Sequence, residues 1–264
     1  MTRLTPTRSP LLTAFALLCL HATRLFAQPS PTAAAAFNAY TQAIEARLAQ
    51  QHRSSANFLS VDADPQALAR LRNGEVILEN LTPAHAETSG SLLHHWRATA
   101  FAPGATAADF ERLLSDFNAY PKNFSPEDLQ ASVTLHHDGH TFATMRVRQR
   151  HVITVLMDTD YDITFGRLDT HHGYSISQST RISELDPKTG RALTPGEEHG
   201  FLWRLNTYWS YEERDGGLYL QIESVSLTRA IPTGLGWVIG PYIESIPRES
   251  LDFTLRSAVT AIRK

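Results

Sequence analysis

The sequence predicts an α+β fold: an antiparallel sheet of seven strands, a long amphipathic helix after it and a helical extension before it. Three observations carry this prediction. Seven strand-like runs are bounded by turn residues, and the last six follow one another without the crossover helices that parallel strands need. Leu251, Leu255, Ala258, Val259 and Ile262 fall at i, i+4, i+7, i+8 and i+11, one apolar stripe along a terminal helix. Phe37, Tyr40, Ile44 and Leu48 repeat at helical spacing near the other end.

Residues 1–27 read as an address. Arg3 and Arg8 precede the ten-residue apolar run 11–20, and the polar stretch after it ends in Leu25-Phe26-Ala27. A bilayer span takes ~20 residues, so this segment predicts a cleavable secretory signal peptide, cut after Ala27, and a secreted or periplasmic protein. Cys19 follows Leu18, where lipid attachment needs a small residue. Cleavage removes Arg3, Arg8 and Arg24 and no acid, which moves the net charge from −3 to −6. Nucleic acid, which needs a basic surface, is excluded as a partner. The cleaved chain has no cysteine, hence no disulfide and no thiol nucleophile. At 42% hydrophobic and 19% charged residues the composition excludes disorder and coiled coil.

Residues 28–90 form a helical lead-in with a short strand. The helix with Phe37, Tyr40, Ile44 and Leu48 packs on the body or docks a partner. Asp64-Pro65 supplies a cap and a first-turn proline, and Asn73-Gly74 a stop, so 65–72 is a short helix. A strand follows over 75–81. Residues 91–264 form the main domain. Its first strand, 92–101, ends at Pro103-Gly104, and Thr106 with Asp109 then opens a helix carrying Phe110, Leu113, Leu114 and Phe117. Strands are predicted over 129–136, 141–148, 151–165, 174–185, 201–211 and 218–229, with Asp138-Gly139 and Asp215-Gly216-Gly217 among their turns. Ser245 and Pro247 mark the start of the closing helix. The apolar stretch 231–243 before it reads either as a buried connection or as a mobile gate in transient contact with a membrane, with Trp237 and Tyr242 at its lip.

This order resembles the helix-grip fold of the START-like (SRPBCC) superfamily, which includes lipid-transfer domains and polyketide cyclases. The resemblance rests on Phe101-Ala102-Pro103-Gly104-Ala105-Thr106, on Leu114-Ser115-Asp116-Phe117-Asn118-Ala119-Tyr120-Pro121 and on Ile246-Pro247-Arg248-Glu249-Ser250-Leu251, and it spans about 91–263. It implies a sheet curled around the C-terminal helix with an elongated apolar cavity between them. It also implies a ligand binder or carrier, enzymes being a minority.

Strand alternation fits such a cavity. In the run from His151, the face with Ile153, Val155, Met157, Thr159, Tyr161 and Ile163 is predicted to point inward, and Asp158, Asp160 and Asp162 outward, solvated. In the run from Phe201, Trp203, Leu205, Trp209 and Tyr211 share a face. The ligand is then an apolar or amphipathic small molecule such as a lipid. Its predicted lining is Trp96, Met145, Val155, Met157, Tyr161, Trp203, Trp209, Trp237, Leu251 and Leu255.

Chemical motifs are sparse. There is no G-x-S-x-G, no H-E-x-x-H and no phosphate-cradling glycine loop, so no cofactor is predicted. Twelve histidines include the pairs His94-His95, His136-His137 and His171-His172. Neighbours on a strand point to opposite faces, so at most one of each pair enters a shared site, and no metal site is predicted. An enzymatic alternative, cyclase-like or hydrolytic, draws its acid/base groups from His95, His151, Tyr161 and Arg204. Arg204 and Glu223 lie on neighbouring predicted strands, as a buried pair near the cavity or as an ordinary cross-strand surface pair.

Overall fold

Alternation and turn chemistry set the strands. A computed structural model describes residues 28–150, 154–231 and 236–263, with the backbone alone for 236–244. Two short strands, β1 (Ile77–Asn80) and β2 (Glu87–Thr88), precede the predicted seven. Those are β3 (Ser91–Pro103), β4 (Asp128–His137), β5 (His140–Arg150), β6 (Thr154–Arg167), β7 (His172–Leu185), β8 (Arg204–Arg214) and β9 (Gly217–Arg229). Asp138-Gly139 and Asp215-Gly216 all have positive φ, the conformation that joins twisted antiparallel strands in two-residue hairpins.

The strands make one curved antiparallel sheet in the order β1-β3-β9-β8-β7-β6-β5-β4, with β2 beside β3. The helices are α1 (Pro31–Gln51), α2 (Pro65–Arg72), α3 (Ala107–Ser115), α4 (Tyr120–Asn123) and α5 (Gly236–Ile262). The starts of α2 and α3 are capped as the sequence predicts, and that of α1 is capped by Ser30. Ser30 accepts from Ala33 N–H, Asp64 accepts from the N–H groups of Gln66 and Ala67, and Thr106 with Asp109 forms a reciprocal capping box.

Each face of the sheet has its own cover. On the inner face Leu251, Leu255, Ala258 and Ile262 of α5 pack with Ala98, Ala100 and Ala102 of β3 and with Leu218, Leu220 and Ile222 of β9. Phe110 and Leu114 of α3 complete this core, and Phe110 meets Trp209 and Tyr211 edge-on. On the outer face Phe37, Ile44 and Leu48 of α1 cover Leu93, Tyr208, Val225 and Leu227. Phe58, Leu59 and Leu71 pack beside them on Phe101 and Tyr219.

Three expectations are corrected here. The apolar side of α1 is not free for a partner, because Phe37, Ile44 and Leu48 are buried against the chain's own sheet. The closing helix begins at Gly236, ahead of Ser245, so Trp237 and Tyr242 lie within a helix and not in a connection. Residues 232–235 and the side chains of 236–244 lie outside the described residues, Trp237 among them. Trp203 precedes β8, outside its alternation, and packs with the outer cluster instead of facing Trp209.

Candidate functional site

Register decides which side chains meet. On the inner face one cross-strand row runs His94, Ser226, Leu205, Ser179, Tyr161, Ala143 and Val133 from β3 to β4. The next rows carry Ile182, Thr159, Met145 and Ala131, then Glu184, Met157, Val147 and Asp128. The β4–β8 half of this face is therefore mostly apolar, with small hydroxyls set into it and the carboxyls of Glu184 and Asp128 in one row. Phe117, Ala143, Tyr161 and Ile163 form its cluster, with Tyr120, Met145 and Leu205 against them. Its hydroxyls are tied to the sheet: Thr159 Oγ1 donates to Met145 O at 3.2 Å, and Ser179 Oγ accepts from Leu205 N at 2.9 Å.

The predicted lining divides. Met145, Val155, Met157 and Tyr161 lie on this half, whereas Trp96, Trp209, Leu251 and Leu255 belong to the core under α5. Asp158, Asp160 and Asp162 face outward as predicted, where Arg146, Arg181 and His140 pair with them at 2.7 Å. His151 lies outside the described residues.

His95 and Arg204 do not reach the inner face. Leu93, Leu227 and Arg204 share an outer row, and His95 lies on that face under α1. His94 points inward instead, and burial pulls its pKa down to about 4. Glu223 pairs with Arg47, Arg97 and His95 and not with Arg204, whose guanidinium donates to Trp203 O.

One group was not singled out by the sequence reading. Asp128 opens β4 at the row of Val147 and Met157, and a bulge between Asp128 and Gln130 turns it to the inner face. Burial, then the charge of Glu127, pushes its carboxyl up to about 7, with no hydrogen bond from the described residues to offset them. Burial likewise pushes Glu127 up to about 7. The charge of Asp128 adds to burial in raising the phenols of Tyr120 and Tyr161, the latter to about 12. An acid that titrates near neutrality beside an apolar surface can exchange a proton or anchor a polar head group.

Glu184 is a contrast at the same row. Burial raises its pKa, but hydrogen bonds from His199 and from the N–H groups of Gly200 and Phe201 hold it below the usual range. Its role is to fasten the loop before β8. Among the described residues no three His, Cys, Asp or Glu side chains are grouped to hold a metal. No described helix is long and apolar enough to cross a membrane.

No family model matches the chain. No curated protein matches it either. Solved structures resemble it at low identity. The fold is similar to that of START-like proteins. The STAR-related lipid transfer protein of Xanthomonas axonopodis is 14% identical, with a TM-score of 0.47 over 71% of this chain and 99% of that one. A START superfamily protein from Mycobacterium smegmatis is 11% identical, with a TM-score of 0.40 over 65% of this chain and 96% of that one. The Zhui aromatase/cyclase of a Streptomyces is 11% identical, with a TM-score of 0.42 over 65% and 92%.

Proposed function

We propose that this protein is a binding or carrier protein for an apolar or amphipathic small molecule, such as a lipid, held between the inner face of the sheet and the closing helix. One observation carries the reading: the β4–β8 half of the inner face is mostly apolar, while the described side chains of α5 pack at the β3 and β9 end. The acidic chain argues against nucleic acid. The leader-like residues 1–27 favour a secreted or periplasmic location, and the apolar stretch 231–243 is the candidate for transient membrane contact. Native mass spectrometry and solvent extraction of protein purified from its own compartment test the reading. A retained apolar molecule supports it. Empty protein that also takes up no fluorescent fatty acid or phospholipid rejects it.

A second reading, an enzyme acting in the same place, draws support from Asp128 alone. His95 and Arg204 drop out of it, and Tyr161 remains as a neighbouring phenol. A turnover found with aromatic or polyketide-like substrates and lost in Asp128→Asn, with ligand binding kept, would favour the enzyme over the carrier.

A further inference from the structure

Small hydroxyl side chains collect on one part of the inner face. In the middle of the sheet Ser177 of β7, Thr207 of β8 and Ser224 of β9 stand side by side in one cross-strand row, flanked by Ile163 of β6 and Trp96 of β3. Ser226 lies in the row on one side, and Ser175 in the row on the other, beside Trp209. Their neighbours fix the side they face. Leu220 and Ile222 of β9 and Trp209 and Tyr211 of β8, at alternate positions along the same strands, belong to the core under α5.

These hydroxyls are covered and yet open. Ser175, Ser177 and Ser226 are 3%, 9% and 6% exposed. Among the described residues none of the five hydroxyls hydrogen-bonds to another group of the protein, and none is sealed from contact either. The sealed polar atoms without a hydrogen bond belong to Thr99, His172, Glu212 and Arg214, all on the outer face. A strand face that only fills a core carries aliphatic or β-branched residues, because a buried hydroxyl without a partner is unfavourable. From β3 to β6 the three rows hold no Lys, Arg, Asp or Glu. An ionic head group would lose its hydration there without gaining a counter-charge, and Asp128 and Glu184, two rows beyond Ser226, disfavour an anion further.

We propose that the carrier site takes an uncharged amphiphile whose head carries several hydroxyl groups, a sugar on an alkyl chain, with the head on this band and the chain along the apolar cluster of β4–β6. The inference rests on the carrier reading and narrows it. Serine, threonine and sugar hydroxyls each donate and accept, so the two sets satisfy one another in both directions. Adjacent strands lie about 4.8 Å apart, so the central row of three spans about 10 Å, enough to meet the hydroxyls of one sugar ring. The chain then lies against Tyr161, Ile163 and Met145.

The test uses three probes with one chain and different heads, octyl glucoside, 1-octanol and octanoate, titrated below micelle-forming concentrations with detection by ligand-observed NMR. Octyl glucoside should bind about tenfold more tightly than octanol, the range of one or two net hydrogen bonds, and octanoate should bind most weakly. Ser177→Ala combined with Ser224→Ala should remove the glucoside's advantage while octanol still binds. Thr207→Val, which keeps the side chain's shape, should reduce that advantage by a smaller factor. Equal affinity for glucoside and octanol, octanoate binding as tightly as the glucoside, or an advantage that survives both variants would each overturn the sugar head and leave the carrier reading standing. No binding by any of the three overturns the sugar head as well; it overturns the carrier reading only where the purified protein is also empty and takes up no fluorescent lipid.

Discussion

Glu223 meets Arg47, His95 and Arg97 on the outer face, and its environment sets a clear mutational expectation. Burial favours its neutral form, but the hydrogen bond from His95 and the charges of Arg47, His95 and Arg97 outweigh it and hold its pKa below the ordinary value. Removing the carboxylate leaves His95 buried without its acceptor and takes from Arg47 its ion-pair partner, while Arg97 keeps Glu79 at 2.7 Å. Glu223→Ala should therefore lose about 3–5 kcal/mol of stability in denaturant titration, and a loss under about 1 kcal/mol would show the pairing to be incidental. Asp128 behaves in the opposite sense. Its folded pKa lies above its unfolded one, so its contribution is present at acid pH and lost as pH rises through about 7. Carboxyl NMR should follow Asp128 through a midpoint near 7, and a midpoint near 4 would remove it from the candidate site.

Helix α1 contributes more than a lead-in, because it supplies the outer face with its apolar cover. Phe37 is 2% exposed among Leu93, Trp203 and Leu227. Phe37→Ala should cost about 3–5 kcal/mol at the denaturant midpoint, and an unchanged midpoint would mean that α1 does not dock on the sheet in solution. The same packing explains what could and could not be read from the sequence. The existence and order of the strands, the capped starts of α2 and α3 and the inward side of β6 were legible, the last since Asp158, Asp160 and Asp162 oppose Met157, Thr159 and Tyr161 in strict alternation. In β9 nearly every residue is buried, because α5 covers one face and α1 with its neighbours the other. Its outer side mixes Gln221 and Glu223 with Tyr219, Val225 and Leu227, its inner side carries Ser224 and Ser226, and β3 beside it gave no better guide, which is why His95 was assigned to the wrong face. Asp128 escaped for a different reason. The bulge after it inserts one residue, and a count of alternate positions from Ala131 and Val133 puts Asp128 on the outer side. The long reach of α5 was hidden by Gly240, Pro241 and Pro247, residues that ordinarily interrupt a helix.

For the whole molecule, acid and base effects run against each other over one pH window. His52 and His94 are buried neutral, with pKa values drawn down to about 4, so stability should fall as pH drops from about 6.5 toward 4. Glu127, Asp128 and Glu212 are pushed up to about 7, mainly by burial, and make stability fall as pH rises across much of that range. His94→Gln removes part of the first effect and none of the second. Its stability, followed by denaturant midpoints between pH 4 and 7, should decline more steeply with rising pH than the wild type's. A parallel profile would mean that His94 is solvated. The bulges of β4 have a consequence at this scale too. The sheet is open and β4 is its last strand, so one side of that strand's backbone has no strand partner among the described residues. A long flat edge would offer its amides to the same edge of another copy and seed fibrous aggregates. Two register shifts, after Asp128 and after Val133, bend this edge out of that geometry. The irregularity that brings Asp128 to the inner face thus also protects the protein, at high concentration, from self-association edge to edge.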